Sequence, residues 1–365
     1  MHKKKSIKSV QSIAKKEDDV YKDILNSVSS GKYEEKTYGD LDVSNLSDDT
    51  LYALAWYYVC WAEKMAKEDN IELVNLKYAK ALEIKPDLHE AYYNWAIYLN
   101  ERAKVSSEQA RLDLYDDVFN KYSRSIEIKP EHDTYYNWGN ALMEKARLSM
   151  GQARLDLYDD AFDKYSKSLA IQLDHDTYYN WGAALMEKAK LTTGQAQLDL
   201  YDDAFVKFAK VVEIEPNDYK AYGRWGCSLA RKAKLTRGQA RLDLYDDAFD
   251  KFAKVVEIKQ NSHRAYDNWG NALMEKAKIT TGQIQLDLYY QALEKQQLCL
   301  KHGGSSYNLA CLYALLNDTD QALFYLEICL KSENCVGYVE ADSDFDSLRL
   351  NTNFISLLEK YKPPT

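Results

Sequence analysis

Apolar and aromatic residues recur every three or four positions through most of the chain, which is the spacing of one face of an α-helix. In residues 132–173, a first segment places Tyr135, Trp138, Leu142 and Ala146 at this spacing. A second segment repeats the spacing at Leu155, Tyr158, Phe162, Tyr165 and Leu169. A stretch of this length therefore predicts two amphipathic helices joined by a short turn.

The predicted helix pair recurs at a fixed period of 43 or 44 residues. One tryptophan marks the first helix of each pair, at Trp95, Trp138, Trp181, Trp225 and Trp269. The phrase Leu-Asp-Leu-Tyr marks the second helix, at 112–115, 155–158, 198–201, 242–245 and 286–289. A period in this range is typical of stacked repeat proteins, in which each unit buries its apolar face against its neighbours.

The period predicts an all-α solenoid of antiparallel helix pairs, with about seven units and a C-terminal cap. The predicted units are about 46–86, 85–130, 131–173, 174–216, 217–260, 261–302 and 304–332. Residues 333–365 are predicted to close the array. Residues 1–45 begin with a lysine-rich stretch and are predicted to form a flexible basic and polar tail.

The turn inside each unit carries a serine or threonine followed three residues later by glutamine, as in Ser149 and Gln152. This spacing predicts a capping box, in which the two side chains satisfy backbone donors at the start of the second helix. The same pattern occurs at Ser106 and Gln109, Thr192 and Gln195, Thr236 and Gln239, and Thr280 and Gln283.

The chain has 365 residues and a formal net charge of −9, which argues against general nucleic-acid binding because that needs a basic surface. Its six cysteines contain no CxxC pair, so reduced thiols and a cytoplasmic location are expected. No apolar run is long enough to span a bilayer, and the N-terminus lacks a hydrophobic signal core. No integral membrane segment is expected.

The units resemble tetratricopeptide repeats (TPRs) in both helices. The first helix carries Trp-Gly at Trp138-Gly139, Trp181-Gly182, Trp225-Gly226 and Trp269-Gly270, and the second carries Ala204, Phe208, Val211 and Pro216. The units exceed the usual TPR length of about 34 residues. The segment from Ala341 to Arg349, with Phe354, resembles the closing motif of bacterial TPR arrays. The resemblance implies a right-handed superhelix whose concave groove binds a peptide or a partner protein.

An asparagine precedes most of the periodic tryptophans, at Asn94, Asn137, Asn180 and Asn268. It lies on the side of the first helix that lines the groove in TPR proteins. An amide donates and accepts hydrogen bonds, so it can bind a peptide backbone. The alternative is that this asparagine is only a consensus residue of the family.

The unit at 217–260 breaks the series, because Arg224 replaces the asparagine and Lys220 lies one helical turn before it. This pair resembles the third-repeat motif of the TPRs that hold the C-terminal carboxylate of heat-shock chaperones. Asn140 and Asn180 stand where that carboxylate clamp has its asparagines, and Tyr136 replaces its first lysine. The alternative is a broader site for an anionic peptide, formed by Lys220, Arg224 and Arg264.

Two other periodic features have plain structural interpretations. The tryptophans are expected to fill the joint between helices, and paired aspartates such as Asp116-Asp117 are expected to form a solvated helix face. No phosphate-binding loop, HExxH motif or nucleophile motif occurs, so no enzyme activity, cofactor or metal is expected.

The predicted function is therefore a non-enzymatic scaffold or adaptor that binds a protein or peptide in the groove. An acidic group or a C-terminal carboxylate is the ligand chemistry that the cations favour. The alternatives are a chaperone-docking adaptor that uses the partial clamp, and a structural array that self-associates.

Overall fold

The computed structural model describes residues 17–34, 38, 41–68, 70–332 and 336–362. The lysine-rich start of the predicted tail, residues 3–16, lies outside the described residues. The chain divides into two compact units, Met1–Thr177 and Tyr178–Thr365, called here the N-terminal unit and the C-terminal unit. The described residues are helical or irregular and contain no strand, so the predicted all-α fold is confirmed.

The N-terminal unit contains one leading helix and three antiparallel helix pairs. Residues 17–30 form α1. The pairs are α2 (Asp48–Met65) with α3 (Ile71–Ile84), α4 (His89–Val105) with α5 (Glu108–Ile128), and α6 (His132–Leu148) with α7 (Gly151–Ile171). The two helices of one repeat contact each other more extensively than they contact the helices of the neighbouring repeat.

The C-terminal unit continues with the same type of pair. Its helices are α8 (His175–Ala189), α9 (Gln195–Ile214), α10 (Tyr219–Leu235), α11 (Gln239–Ile258), α12 (His263–Ala277), α13 (Gly282–Lys301), α14 (Tyr307–Leu315) and α15 (Thr319–Ser332). The first three residues of α8 belong to the N-terminal unit. Two short segments follow, α16 (Val336–Ala341) and a 3₁₀ helix (Ser343–Leu348), and the last helix is α17 (Thr352–Tyr361).

The glycine that follows four of the five periodic tryptophans lets the two helices of a pair approach closely, whereas Ala96 follows Trp95. A Cβ atom added to Gly139 would lie 2.7 Å from Tyr165 Cε1 on the second helix. The corresponding distance from Gly226 to Phe252 Cε1 is also 2.7 Å. Real Cβ atoms do not approach so closely, so the rings of Tyr165 and Phe252 require glycine at positions 139 and 226. The Trp-Gly pattern of the sequence therefore reflects the joint between the paired helices.

The periodic tryptophans are only half-buried, and a lysine of the second helix covers the outer face of each ring. The ammonium-to-ring distances are 3.9 Å for Lys121 and Trp95, 4.4 Å for Lys164 and Trp138, 3.7 Å for Lys207 and Trp181, 4.3 Å for Lys251 and Trp225, and 4.6 Å for Lys295 and Trp269. This is cation–π geometry. Burial lowers the pKa of Lys121 and of Lys207, because it penalises the charged form. The sequence predicted the tryptophans in the joint, but not the lysines above them.

The first aspartate of the acidic pairs is not a purely solvated residue, which corrects the sequence interpretation. Asp116 pairs with Lys145 of the following first helix, and in the C-terminal unit Asp202 pairs with Lys232 and Asp246 with Lys276. Each aspartate is more than half exposed, so each ion pair contributes about 1 kcal/mol or less. These pairs join one helix pair to the next.

The predicted capping boxes are wrong. The Ser149 hydroxyl donates to the carbonyl oxygen of Lys145, four residues back, and thus belongs to the end of the first helix. The equivalent hydroxyls of Ser106, Thr192, Thr236 and Thr280 also donate to carbonyls of the preceding helix. The N-cap of α9 is Gly194 with φ 68°, a left-handed conformation that favours glycine and supplies no capping side chain. Gln195 instead donates to Asp199 one turn further along α9.

The predicted flexible tail is corrected for its described part. Val20, Ile24 and Val28 form one face of α1, and Ile24 is fully buried against the core of the N-terminal unit. Glu17 Oε1 accepts a hydrogen bond of 2.6 Å from the Ser47 amide at the start of α2. The tail prediction relied on charge and missed this short apolar face.

The closing segment, residues 336–361, packs onto the end of the C-terminal unit. Phe345 is fully buried, edge-to-face with Tyr307 and beside Phe354. The ammonium of Lys278, the C-cap residue of α12, lies 2.7 Å from the carboxylate of Asp344, which is 8% exposed. This ion pair raises the pKa of Lys278 despite its burial, whereas burial raises the pKa of Asp344. The segment that resembles a closing motif therefore covers the last helix pairs.

Two glycines on α10 give a matched test of the helix joint. Gly226→Ala should destabilise the chain by about 1–3 kcal/mol, because its Cβ would overlap Phe252. Gly223→Ala should be neutral or stabilise by up to about 1 kcal/mol, because the nearest atom to its Cβ, Val255 Cγ2, is 3.8 Å away. Urea denaturation followed by circular dichroism measures both changes. Equal effects of the two substitutions would contradict the close contact.

The tryptophan and the lysine above it can also be separated. Trp225→Ala should lower the free energy of unfolding by about 3 kcal/mol, because Trp225 packs against the cluster of Leu229, Tyr245 and Phe252. Lys251→Met keeps the aliphatic stem and removes the charge, so its cost should be about 1 kcal/mol or less. A Trp225→Ala chain with an unchanged denaturation midpoint would show that the ring does not stabilise the joint.

Candidate peptide-binding clefts

Four of the residues predicted from the sequence as site residues line one open cleft in the C-terminal unit. They are Lys220, Arg224, Arg264 and Asn268, and the cleft has a volume of about 720 Å³. We call it the basic cleft, and define it by these residues together with Tyr179, Tyr219, Lys259 and His263. The volume lies within the range of about 300–1,000 Å³ that is usual for ligand pockets.

Local helix geometry places the cations of the basic cleft. The Asp218 side chain caps α10 by accepting hydrogen bonds from the amides of Lys220, at 2.8 Å, and Ala221, at 3.0 Å. This fixed start directs Lys220 and Arg224, one turn apart, into the same cleft. Arg264 lies in the first turn of α12, and Asn268 lies one turn later.

A missing tyrosine opens the floor of the basic cleft. The residue two positions before the tryptophan is Tyr93, Tyr136 or Tyr179 in the first three repeats that carry this tryptophan, but Gly223 in the fourth. A Cβ at Gly223 would meet only Val255 Cγ2, so the space that a tyrosine ring would fill is open. This change was visible in the sequence beside Arg224, but the sequence interpretation considered only the charges.

The lysine and arginine side chains that line the basic cleft face no carboxylate within its lining. Its lining contains four cations, Lys220, Arg224, Lys259 and Arg264, and no aspartate or glutamate, although the whole chain carries a net charge of −9. Among the described residues, no carboxylate forms an ion pair with Lys220, Arg224 or Arg264. Lys259 is held in place, because its ammonium donates to Tyr219 Oη at 3.2 Å.

The surrounding charges reinforce the positive potential. Lys190, which follows α8, has a lowered pKa because it is partly buried and because Arg231 and Arg224 lie near it. A like charge disfavours the protonated amine. The end of α10 therefore adds positive charge beside the basic cleft, and an anion bound there would relieve this repulsion.

The other predicted site residues do not join this cleft. In the N-terminal unit, the Asn94 amide donates to Glu63 at 2.9 Å, and the Asn137 amide donates to Tyr93 Oη at 3.0 Å. The Asn140 carbonyl oxygen accepts a hydrogen bond of 2.8 Å from Tyr165 Oη. Asn180 lies half-buried on α8 in the C-terminal unit, outside the lining of the basic cleft. The asparagine series is thus mainly engaged in contacts between helices.

Two further clefts adjoin the basic cleft. A mixed cleft of about 460 Å³ shares Cys227 and Asn268 with it and carries both signs of charge, including Lys278 and Asp344. An aromatic cleft of about 390 Å³ shares His263 and Arg264 with it and is lined by Tyr307 and Tyr338.

Two groups of possible metal donors occur among the described residues. Asp174, His175 and Asp176 form a partly exposed group, and Cys311, Asp342 and Asp344 form a more buried one. In the second group, the Lys278 ammonium already lies 2.7 Å from Asp344 and supplies the positive charge. Burial raises the pKa of the Cys311 thiol, which disfavours the thiolate that a metal would bind.

Within the described part of the chain, none of the helices combines the length and the apolar character needed to cross a membrane.

No family model matches the chain, and no curated protein matches its sequence. Several solved structures are similar to it. YrrB, described as a TPR protein with an unusual peptide-binding site, is 22% identical with a TM-score of 0.40, and the match covers 61% of this chain and 96% of YrrB. The C-terminal part of a TPR protein from Cytophaga hutchinsonii is 16% identical with a TM-score of 0.48, covering 80% and 100%.

A TPR protein from Parabacteroides merdae is 12% identical with a TM-score of 0.44, and the match covers 84% of this chain and 98% of that protein. No functional residue is carried over from any of these structures. The fold assignment depends on the helix pairs of this chain and on the contacts between its Trp-Gly motif and the second-helix aromatic residue. In its fold, the chain is therefore an array of tetratricopeptide-type helix pairs, as the resemblance in its sequence predicted.

Proposed function

We propose that this chain is a non-enzymatic interaction scaffold that binds an acidic peptide segment of a partner protein in the basic cleft. The observation that carries the proposal is a lining of four cations without a carboxylate. None of these four cations has an ion-pair partner among the described residues. An acidic ligand would supply the opposite charge that the cleft lacks.

The residues of the cleft suit a peptide. Arg224 and Arg264 each present a planar guanidinium that can hold a carboxylate through two hydrogen bonds, and Lys220 adds a third cation. The Asn268 amide can pair with a peptide backbone group. The rings of Tyr179 and Tyr219 supply apolar contact area beside the charges.

The contacts favour this broader anionic site over a C-terminal carboxylate clamp. A clamp would need Asn180 beside Lys220 and Arg224 within the C-terminal unit. Asn180 is not part of the cleft lining. Lys259 and Arg264, which are not part of the clamp pattern, do line the cleft.

We also propose a reducing compartment such as the cytoplasm. Among the described cysteines, Cys60, Cys227, Cys299 and Cys311 form no disulfide. Burial raises the pKa of each of the thiols of Cys60, Cys227, Cys299 and Cys311, which keeps them protonated near neutral pH.

Fluorescence anisotropy of a labelled acidic peptide with the full chain tests the basic cleft. Lys220→Ala combined with Arg224→Ala should weaken binding by about 100-fold, because a hydrogen bond to a charged group contributes about 1.5–3 kcal/mol. Affinity should also fall as salt rises, because screening weakens exposed charges. The matched control is Arg237→Ala with Lys254→Ala, which removes the same charge from exposed positions outside the cleft lining.

Affinity that survives the Lys220→Ala and Arg224→Ala changes would exclude the basic cleft as the binding site. Amidation of the peptide C-terminus separates the two candidate ligands. An internal acidic site tolerates amidation, whereas a carboxylate clamp loses its ligand. Light scattering across protein concentration tests the self-association alternative.

A further inference from the structure

The aromatic cleft at the closing segment continues the basic cleft. The two clefts share His263 and Arg264, so a ligand bound to Arg264 lies at the entrance to both. Most of the exposed lining of the aromatic cleft is apolar. Its single carboxylate, on Asp267, accepts a hydrogen bond of 2.7 Å from the Asn308 amide. A cationic surface thus adjoins an apolar one.

The inner wall of the aromatic cleft is fixed. The Tyr307 hydroxyl donates to Asp342 at 2.8 Å, and its ring packs edge-to-face on the buried Phe345. Cys299, which is 1% exposed, forms part of the floor. Gly304 lies directly against it, because an added Cβ would be 2.2 Å from Cys299 Sγ. Side chains held in this way lose little freedom when a ligand binds.

The outer wall is Tyr338, a large aromatic side chain that is 75% exposed. Its helix, α16, is anchored by the buried residues Val336 and Val339 on the opposite face. The Arg349 guanidinium also donates to the Val339 carbonyl oxygen at 3.1 Å. The ring is therefore presented to solvent by a segment that is itself tightly packed. Substitution of Tyr338 should leave the fold intact.

We propose that the aromatic cleft receives a bulky apolar side chain of the same acidic peptide, most favourably an aromatic one. This inference rests on the proposed function of the basic cleft. The partner is then a short segment that carries acidic residues and, a few residues away, an aromatic residue. The closing segment contributes Tyr338 to the binding surface, in addition to covering the last helix pairs. The residues His263 and Arg264, which line both clefts, favour a single segment that fills both.

Paired peptides test the proposal by fluorescence anisotropy with the full chain. Each peptide carries the same acidic residues and either phenylalanine or alanine, placed one to four residues from the acidic group. At the best spacing, the phenylalanine peptide should bind about tenfold more tightly, because burial of the ring removes apolar surface from water. Tyr338→Ala should remove most of this preference and leave the affinity for the alanine peptide unchanged.

The matched control is Tyr290→Ala on α13, which removes another exposed tyrosine, 59% exposed, from outside the aromatic cleft. Circular dichroism melts verify that both variants are folded. Equal affinity for the two peptides at every spacing would overturn the aromatic subsite and leave the basic cleft standing. A preference that persists in Tyr338→Ala would also overturn it. Binding of neither peptide would overturn both proposals.

Light scattering tests whether a second copy of the chain, rather than a peptide, occupies the aromatic cleft. If the mass rises with protein concentration in the unliganded chain, and Tyr338→Ala abolishes the rise, the aromatic cleft is a contact between copies of the chain and the peptide proposal fails. A constant mass, together with a phenylalanine preference that depends on Tyr338, supports the peptide subsite.

Discussion

The contact between a glycine on the first helix and an aromatic ring on the second is the constraint on which the other features depend. At Gly226 and Phe252 there is no room for even one additional carbon atom. This approach brings the second helix close enough for Lys251 to lie over the face of Trp225. Local packing, rather than capping side chains, thus defines the unit, since the predicted capping boxes do not form.

The same joint explains why the clefts open where they do. In the N-terminal unit, Tyr93 fills the position two residues before the tryptophan, and its hydroxyl accepts the Asn137 amide. In the C-terminal unit, Tyr179 keeps the tyrosine, whereas Gly223 and Asp267 replace it in the next two repeats, and each of these two residues lines a cleft. Both repeats keep the glycine after the tryptophan, Gly226 against Phe252 and Gly270 against the side chain of Gln296. A repeat can therefore replace this tyrosine at the lining of a cleft and still keep the close approach of its two helices.

The sequence predicted the helix pairs and part of the candidate site for identifiable physical reasons. Helical periodicity follows burial, so it located the helix pairs. The departure from the asparagine series at Lys220 and Arg224 located two of the cleft cations. It missed Lys259, which follows the last residue of α11 where no helical pattern remains. It also missed Tyr338, because an exposed residue on a six-residue helix has no periodicity to mark it. The role of the asparagine series stays a prediction, because a polar residue on a groove face has the same spacing whether it binds a ligand or a neighbouring helix.

The use of the other lysines makes the cations of the basic cleft distinctive. Within the C-terminal unit, Lys207, Lys251 and Lys295 cover tryptophan rings, while Lys232 and Lys276 pair with aspartates. These lysines recur with the period and serve the packing between helices. Lys220, Arg224 and Arg264 belong to neither series and have no carboxylate partner among the described residues. Exposed cations in one cleft repel one another, and a bound anion would relieve this repulsion.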